Sequence, residues 1–371
     1  MARIAIHLPD LRGGGAERVM TTLANEFADR NHDVELVLSR AEGHHLQNAG
    51  ADVDVVDLGA RRLPGYAALG ALWPLRRYLQ REEPDVLLSG IARANIVALL
   101  AHRLASTDTR IVVSEHNTLS SWIADEKGLR MAAVPQLVRF TYRWADDIIA
   151  VSDGVGDDLA ATAGIPRERI RTIYNPVVTD ELYEDADEPP PHPWFEGDPP
   201  VVLGAGSLTS QKDFPTLIRA FEMVRDERYA KLIITGKGPE RDQLQSLIDE
   251  LQLEEDAMLV GFVDNPYPYI NHASVFVLSS KYEGLPTVLI EALACGTPIV
   301  ATDCPSGPRD ILQDGTYGPL VPVSDEQSLA EAIIETLDDP LQSSHLTRRG
   351  ENFESDKVVD EYVSVLLPSE E

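Results

Sequence analysis

Glu283 and Glu291 stand eight positions apart, and the residues around them suggest what two carboxylates could do there. Glu283 lies in the loop Glu283-Gly284-Leu285-Pro286-Thr287, directly after the apolar, strand-like run Ser274-Val275-Phe276-Val277-Leu278. Glu291 lies in the segment 288–295, which reads as a helix. Pro286 suits its first turn, where a missing N–H costs nothing. A strand, a tight loop and a helix start leave free backbone N–H groups at a positive dipole end, a seat for a diphosphate. A carboxylate at either edge then holds hydroxyls of whatever carries that diphosphate. Polyhydroxyl plus diphosphate describes a nucleotide sugar.

Other residues could complete such a site. Lys212 stands just beyond the glycine turn Gly204-Ala205-Gly206, in a chain with only six lysines. It reads as a point charge on phosphate, or as a solvated surface amine. Gly13, Gly14 and Gly15 follow the first strand pattern and precede a helix, where glycine lets backbone approach a ligand or simply makes a turn. His116, in Glu115-His116-Asn117-Thr118, sits at a strand end, where such folds aim side chains at ligands. Glu115 reads as its orienting partner or as a loop acid. His7 reads as a core residue within a strand. Ser152-Asp153-Gly154 reads as a helix cap. Asp52-Val53-Asp54 has a metal-binding spacing but lies in an alternating strand pattern, so no metal is expected.

The setting EGLPTVLIEALACGTPIVATD resembles the Glu-x7-Glu signature of family-4 retaining glycosyltransferases with the GT-B fold. Gly13-Gly14-Gly15-Ala16-Glu17-Arg18 resembles their N-terminal glycine loop. Residues 206–214, from Gly206 and Ser207 to Phe214, resemble the donor phosphate loop. Thr235-Gly236-Lys237-Gly238-Pro239 resembles the next strand and loop. The resemblance runs from the first strand to about residue 340.

That resemblance implies an α/β fold of two Rossmann-like domains facing across a cleft. It implies catalytic roles for His116, Lys212 and Glu283. Donor contacts fall on Gly14, Gly15, Ser207, Lys212, Gly236 and Val263. They continue through Glu283, Gly284, Leu285, Pro286, Thr287 and Glu291. Glu283 would hold sugar hydroxyls, and Glu291 the ribose. His116 would contact the donor sugar or the acceptor, and Gly261-Phe262-Val263 would line the base pocket. Attack is implied on the face the leaving group departs from, a phosphate oxygen taking the acceptor's proton without a protein nucleophile. One departure stands out: Ser207 occupies a position that is usually arginine, leaving Lys237 or Arg309 to compensate. The donor is expected to be a nucleoside-diphosphate sugar, with uridine favoured, and the acceptor a glycan or a lipid-linked one. Cofactors are expected to be none. A GT-B sugar-nucleotide epimerase, and a non-catalytic nucleotide- or carbohydrate-binding protein, are the alternatives.

Composition narrows the partners. The 371 residues carry a formal net charge of −29, which would repel nucleic acid. So acidic and lysine-poor a chain resembles proteins of salt-loving organisms, where salt screens self-repulsion. Cys295 and Cys304 are the only cysteines, with no metal spacing and no disulfide framework. Cys295 is expected to be buried. Met1 is followed at once by a strand pattern, and no apolar run approaches the roughly 20 residues of a membrane span. The expected location is cytoplasmic, at most at the inner face of a membrane. Between Arg61 and Arg143, however, twelve basic residues face seven acids. Two amphipathic stretches there, 69–80 and 131–144, suggest peripheral contact with an anionic membrane surface.

The elements that must position these residues alternate along the chain. Short apolar runs at 4–8, 34–38, 53–56, 86–88, 111–113 and 148–151 interleave with helical segments such as 16–30 and 91–104. This rhythm predicts a parallel sheet covered on both faces. The acidic, proline-rich stretch around 185–193 interrupts it. The rhythm resumes at 201–204, 232–235, 258–260, 275–278 and 298–301. The expected domains are 1–184, an acceptor-binding Rossmann-like unit, and 200–350, a nucleotide-sugar-binding one. An exposed linker, 185–199, would join them. The tail 351–371 would be a helix crossing back to the first domain, as the resemblance implies.

Overall fold

A computed structural model of the chain describes residues 1–12, 15–61, 67–125, 133–189, 192–197 and 199–368. The chain divides into two compact units, Met1–Pro176 with Ser355–Glu371, and Val177–Glu354.

The first unit is built on seven parallel strands: β1 (Arg3–Leu8), β2 (Asp33–Leu38), β3 (Val53–Asp57), β4 (Val86–Gly90), β5 (Arg110–Glu115), β6 (Asp147–Ala150) and β7 (Ile170–Thr172). Their order is β3-β2-β1-β4-β5-β6-β7. The central strands are apolar on both sides because helices cover both faces. Helix α1 (Gly15–Asp29) and the C-terminal helix Ser355–Leu366 close one core over Ile4, Ile6 and Leu8. The C-terminal helix is held by Arg30 Nη2 donating to Asp356 Oδ1 at 2.6 Å and Ser355 Oγ donating to Glu26 Oε1 at 2.8 Å. Helices α2 (Leu72–Glu82) and α3 (Ala92–Ala105) pack together, followed by α4 (Leu119–Asp125), α5 (Val134–Tyr142), which packs on α3, and α6 (Asp153–Ala163). Ser152 Oγ caps α6 by accepting from the Val155 N–H at 3.2 Å. Strand order reverses between β1 and β4, which opens a crevice at their carboxyl ends.

The second unit repeats the plan with six parallel strands. In chain order it runs α7 (Asp180–Ala186), β8 (Val201–Ala205), α8 (Phe214–Glu227), β9 (Lys231–Thr235), α9 (Arg241–Glu250), β10 (Ala257–Gly261) and α10 (Tyr267–His272). It continues through β11 (Val275–Leu278), α11 (Thr287–Cys295), β12 (Ile299–Thr302), α12 (Pro308–Ile311), β13 (Leu320–Val321), α13 (Glu326–Asp338) and α14 (Ser343–Gly350). The order β10-β9-β8-β11-β12-β13 reverses between β8 and β11. The loops leaving those two strands carry Lys212 and Glu283.

Four expectations change. The described part of 185–199 is docked on the second unit instead of forming an exposed linker. Asn271 Nδ2 donates to Ala186 O at 2.9 Å, and Phe195 packs edge-on against Tyr269 at 5.9 Å. The division falls at Pro176/Val177, since α7 packs on α10 and α11. Pro286 precedes the first turn of α11 as its N-cap. Cys295 is half-buried, not buried, although desolvation still pushes its thiol up to about 12.

Candidate functional site

In the second unit, the loop after β8 folds over the loop after β11. Lys212 Nζ donates to Glu283 Oε1 at 2.6 Å, and Ser280 Oγ donates to the same oxygen at 2.6 Å. Backbone and amide contacts fix the pair. Ser279 Oγ donates to Lys212 O at 2.6 Å, Gln211 Nε2 to Tyr282 O at 2.9 Å, and the Lys281 N–H to Gln211 O at 2.8 Å. Asp213, buried with φ of 49°, accepts from Thr216 Oγ1 and Ser324 Oγ and pairs with Lys281. The lysine therefore leaves a loop pinned on both sides. Cys304 lies close by, its thiol pushed up to about 12 by desolvation and by the Glu283 charge.

Glycines allow the loops to stack. Gly236, with φ of 139°, has no room for a Cβ, which would stand 1.8 Å from Gly206 O. A Cβ on Gly206 would meet Lys212 Cε at 3.0 Å. The Gly206 N–H donates to Thr235 O at 3.0 Å and the Gly236 N–H to Gly261 O at 2.7 Å, linking the ends of β8, β9 and β10. Ser207 is exposed, and Val263 partly so. Gly284, Leu285 and Pro286 are buried, with Ser306 Oγ donating to Gly284 O at 3.0 Å, while Thr287 opens α11. Glu291 is buried one turn further along the same helix. Of the two cations expected to offset the missing arginine, Arg309 is committed to Asp303 and, at 2.9 Å, to Asp314. Lys237 is exposed, its Nζ 4.5 Å from the Phe262 ring centroid.

In the first unit, Gly13 and Gly14 lie outside the described residues, and Gly15 opens α1 in open space. His116 is buried just beyond β5. Its Nε2 is 3.2 Å from Ser114 Oγ, its Nδ1 has no partner, and burial lowers the imidazole to about 4. The ring is therefore neutral at pH 7, a hydrogen-bonding group with one atom to spare. Glu115 does not orient it. Glu115 Oε1 instead accepts from Tyr142 Oη and from Asn95 Nδ2, the latter at 3.0 Å, and burial raises the carboxyl to about 7. Asn95 Nδ2 also donates to Ser114 O at 2.9 Å, so α3, α5 and the end of β5 share one buried polar knot. His7 is a core residue bonded to Val37 O at 2.8 Å.

Sequence reasoning missed Ser280, Gln211, Asn95 and Tyr142. Only Ser280 carried a local signal, a hydroxyl three residues before Glu283. Among the described residues, no helix is long and apolar enough to cross a membrane, and no three His, Cys, Asp or Glu cluster as a metal site.

Known proteins resemble this chain in sequence and in fold. Residues 13–181 match the Glycosyltransferase Family 4 model, and residues 187–353 the model of Glycosyl transferases group 1. The chain is 30% identical to the N-acetylgalactosamine-N,N'-diacetylbacillosaminyl-diphospho-undecaprenol 4-alpha-N-acetylgalactosaminyltransferase of Campylobacter jejuni, covering 99% of this chain and 100% of that one. It is 25% identical to the N-acetyl-alpha-D-glucosaminyl L-malate synthase of Bacillus anthracis, over 95% and 93%. Anabaena HepE, solved in complex with UDP-glucose, has the same fold, with a TM-score of 0.80 at 21% identity over 99% and 100%.

Proposed function

Because the chain belongs to the group 1 glycosyl transferases of the GT-B fold, we propose that it is a retaining enzyme. It moves a hexose or N-acetylhexosamine from a uridine diphosphate sugar to a glycan or lipid-linked acceptor. The observation that carries this reading is the meeting of Lys212 and Glu283, at 2.6 Å, beside the start of α11. An ammonium and first-turn amides can neutralise a departing diphosphate, and a carboxylate beside them can hold sugar hydroxyls. The Campylobacter relative is named for a diphospho-undecaprenol substrate and the Anabaena structure holds UDP-glucose, which supports both ends of the reading.

In the proposed reaction the bond from the anomeric carbon to the diphosphate oxygen breaks. A bond to the acceptor oxygen forms on the same face, and the acceptor's proton passes to the leaving diphosphate. Lys212 and the amides ahead of α11 hold that diphosphate. Glu283 holds sugar hydroxyls, and Glu291 the ribose. Gly15, Gly236, Gly284 and Val263 bring backbone close to the donor. His116, a neutral imidazole with Nδ1 to spare, takes a sugar or acceptor hydroxyl. No metal or other cofactor is required, and the enzyme works inside the cell in a salt-rich medium.

The test incubates the chain with labelled uridine diphosphate sugars, with and without a glycan or undecaprenyl-diphosphate acceptor, and reads product and anomer by nuclear magnetic resonance. Transfer with the donor's anomeric configuration kept is the expected result. Inversion sinks the retaining mechanism. Donor epimerised without acceptor points to the epimerase, and donor bound but never consumed to a binding protein.

A further inference from the structure

We propose that Tyr362, on the C-terminal helix, is a positioning residue for His116, acting through Ser114 and fixing the imidazole as an Nδ1–H donor. The inference rests on the proposed contact between His116 and a sugar or acceptor hydroxyl, and it says which partner gives the hydrogen there.

Strand β5 places the three residues in line. Its side chains alternate, so Val112 and Ser114 share a face. Val112 and Tyr362 belong to one buried core, which puts Ser114 beneath the C-terminal helix. Arg110 Nε, at the start of the same strand, donates to Val365 O at 3.2 Å, one turn beyond Tyr362. With the bonds at Arg30 and Ser355, the helix is tied down on both sides of the phenol.

Ser114 and Tyr362 are both fully buried, and Ser114 Oγ is 3.2 Å from His116 Nε2. Among the described residues, Tyr362 Oη and His116 Nδ1 complete no hydrogen bond. Ser114 is nevertheless close to the phenol. Desolvation pushes that hydroxyl up to about 12, and the serine, as its hydrogen-bonding neighbour, draws it part of the way back. A small shift of either side chain closes the bond.

The sense of the chain follows from counting hydrogens. If Tyr362 donates to Ser114 Oγ and Ser114 donates to His116 Nε2, both hydroxyl hydrogens are used. The ring's proton then sits on Nδ1, and Nδ1–H is the one group left over. Run the other way, with Nε2–H donating to Ser114 and Ser114 to Tyr362, the chain strands the phenol hydrogen in a dry core and leaves Nδ1 without a donor as well. Letting both neighbours donate to Ser114 strands the serine hydrogen and Nδ1 instead. An unmet buried hydroxyl is costly, so the first arrangement holds. The consequence is chemical. An Nδ1–H can hold a sugar or acceptor oxygen but cannot take its proton, which leaves that proton to the departing diphosphate, as the proposed reaction requires.

The experiment is long-range proton–nitrogen correlation by nuclear magnetic resonance on the full chain with isotope-labelled histidine, without donor or acceptor, at neutral pH where the ring is uncharged. The spectrum of His116→Gln identifies the signal among nine histidines. Expected are a proton on Nδ1 in the wild type, a displaced Nε2 resonance in Tyr362→Phe, and a mixture of tautomers in Ser114→Ala, which removes the donor to Nε2. Tyr362→Phe keeps the ring in the core, so the fold is retained, as circular dichroism checks. In turnover, Ser114→Ala should lower kcat about tenfold and Tyr362→Phe about threefold, the scale of losing or loosening one hydrogen bond. Tyr362→Phe added to Ser114→Ala should cost nothing more, since Tyr362 acts only through the serine. A proton on Nε2 in the wild type, an Nε2 resonance unmoved by Tyr362→Phe, or kinetic losses that multiply in the double variant overturn the proposal. The spectra need no substrate, so the relay can fail while sugar transfer stands, and can stand where transfer fails.

Discussion

Lys212 Nζ and Glu283 Oε1 lie 2.6 Å apart although 71 residues separate them in sequence. The contact forms because the loops leaving β8 and β11 adjoin at the point where strand order reverses. An ammonium has three donors, so it can keep Glu283 and still meet a phosphate oxygen.

Lys212→Ala should lower turnover about 10²–10³-fold, the usual effect of removing one group that stabilises leaving-group charge. Glu283→Gln should lower it comparably, because the carboxylate pairs with the lysine and, in the proposed reaction, holds sugar hydroxyls. The double variant should cost far less than the product of the two, since partners in contact are not additive. Steady-state kinetics on the four proteins checks this; independent, multiplying losses would show that the pair does not act as a unit.

Gly236→Ala should destabilise the second unit by about 2 kcal/mol or more, because the new methyl meets a backbone oxygen instead of a movable side chain. Gly261→Ala, with φ of 95° but nothing within 4 Å of the added carbon, isolates backbone strain and should cost about 1–3 kcal/mol. Urea unfolding ranks the two, and Gly236→Ala should also lose the thermal shift given by uridine diphosphate. A thermal shift retained in Gly236→Ala would detach the glycine stack from the donor site.

Much of this arrangement was legible before folding, for physical reasons. Strands buried on both faces are near-continuous apolar runs, so the central strands of the two sheets stood out, while the edge strand β3, buried only at Val53, showed by its alternation. Strand β13, two residues long, is too short to show any period. The segment 185–199 looked exposed because proline and acid dominate it, while Trp194 and Phe195 decide where it lies. Lys212 and Glu283 were marked by the glycines and proline beside them. The knot of Asn95, Glu115 and Tyr142 joins residues 20 and 27 positions apart through uncharged donors, and no local pattern announces such a contact.

If Lys212 and the amides ahead of α11 hold the diphosphate as proposed, chelation should leave turnover within about twofold, since they would supply the positive field that a divalent ion supplies elsewhere. Dialysis against a chelator, followed by assay with and without added magnesium, tests this. A loss restored by magnesium would assign the diphosphate charge to a metal.

Sodium chloride raised from about 0.1 M to about 1 M should stabilise the fold, since the Debye length falls from about 10 Å to about 3 Å and mutual repulsion in a chain of −29 is screened. A gain of about 1 kcal/mol corresponds to roughly 2–4 °C per domain of this size. A melting temperature that stays flat or falls with salt would separate the acidic surface from any demand for salt.

Glu115 and His116 are neighbours whose burial acts oppositely on pH stability. Burial holds the Glu115 carboxyl at about 7 against an ordinary 4.5, despite the hydrogen bonds from Tyr142 and Asn95, and Asp158 adds a smaller push in the same direction. The folded state therefore binds a proton that the unfolded state has released between those values. Its contribution to stability is fully present below pH 4.5 and is lost as pH rises to about 7. His116 behaves conversely. Its ring is lowered to about 4 from 6.5, so the neutral form stabilises the fold above 6.5 and that contribution is lost as pH falls towards 4. The two slopes overlap and hide each other in the wild type. Glu115→Gln keeps an acceptor for Tyr142 and Asn95 without a titrating proton. Relative to wild type it should therefore gain stability steadily from about pH 5 to pH 8, by more than about 1 kcal/mol at the upper end. Paired unfolding curves across that range measure the difference directly. A difference that does not change with pH would mean that the carboxyl titrates normally and that the knot is wetter than its burial indicates.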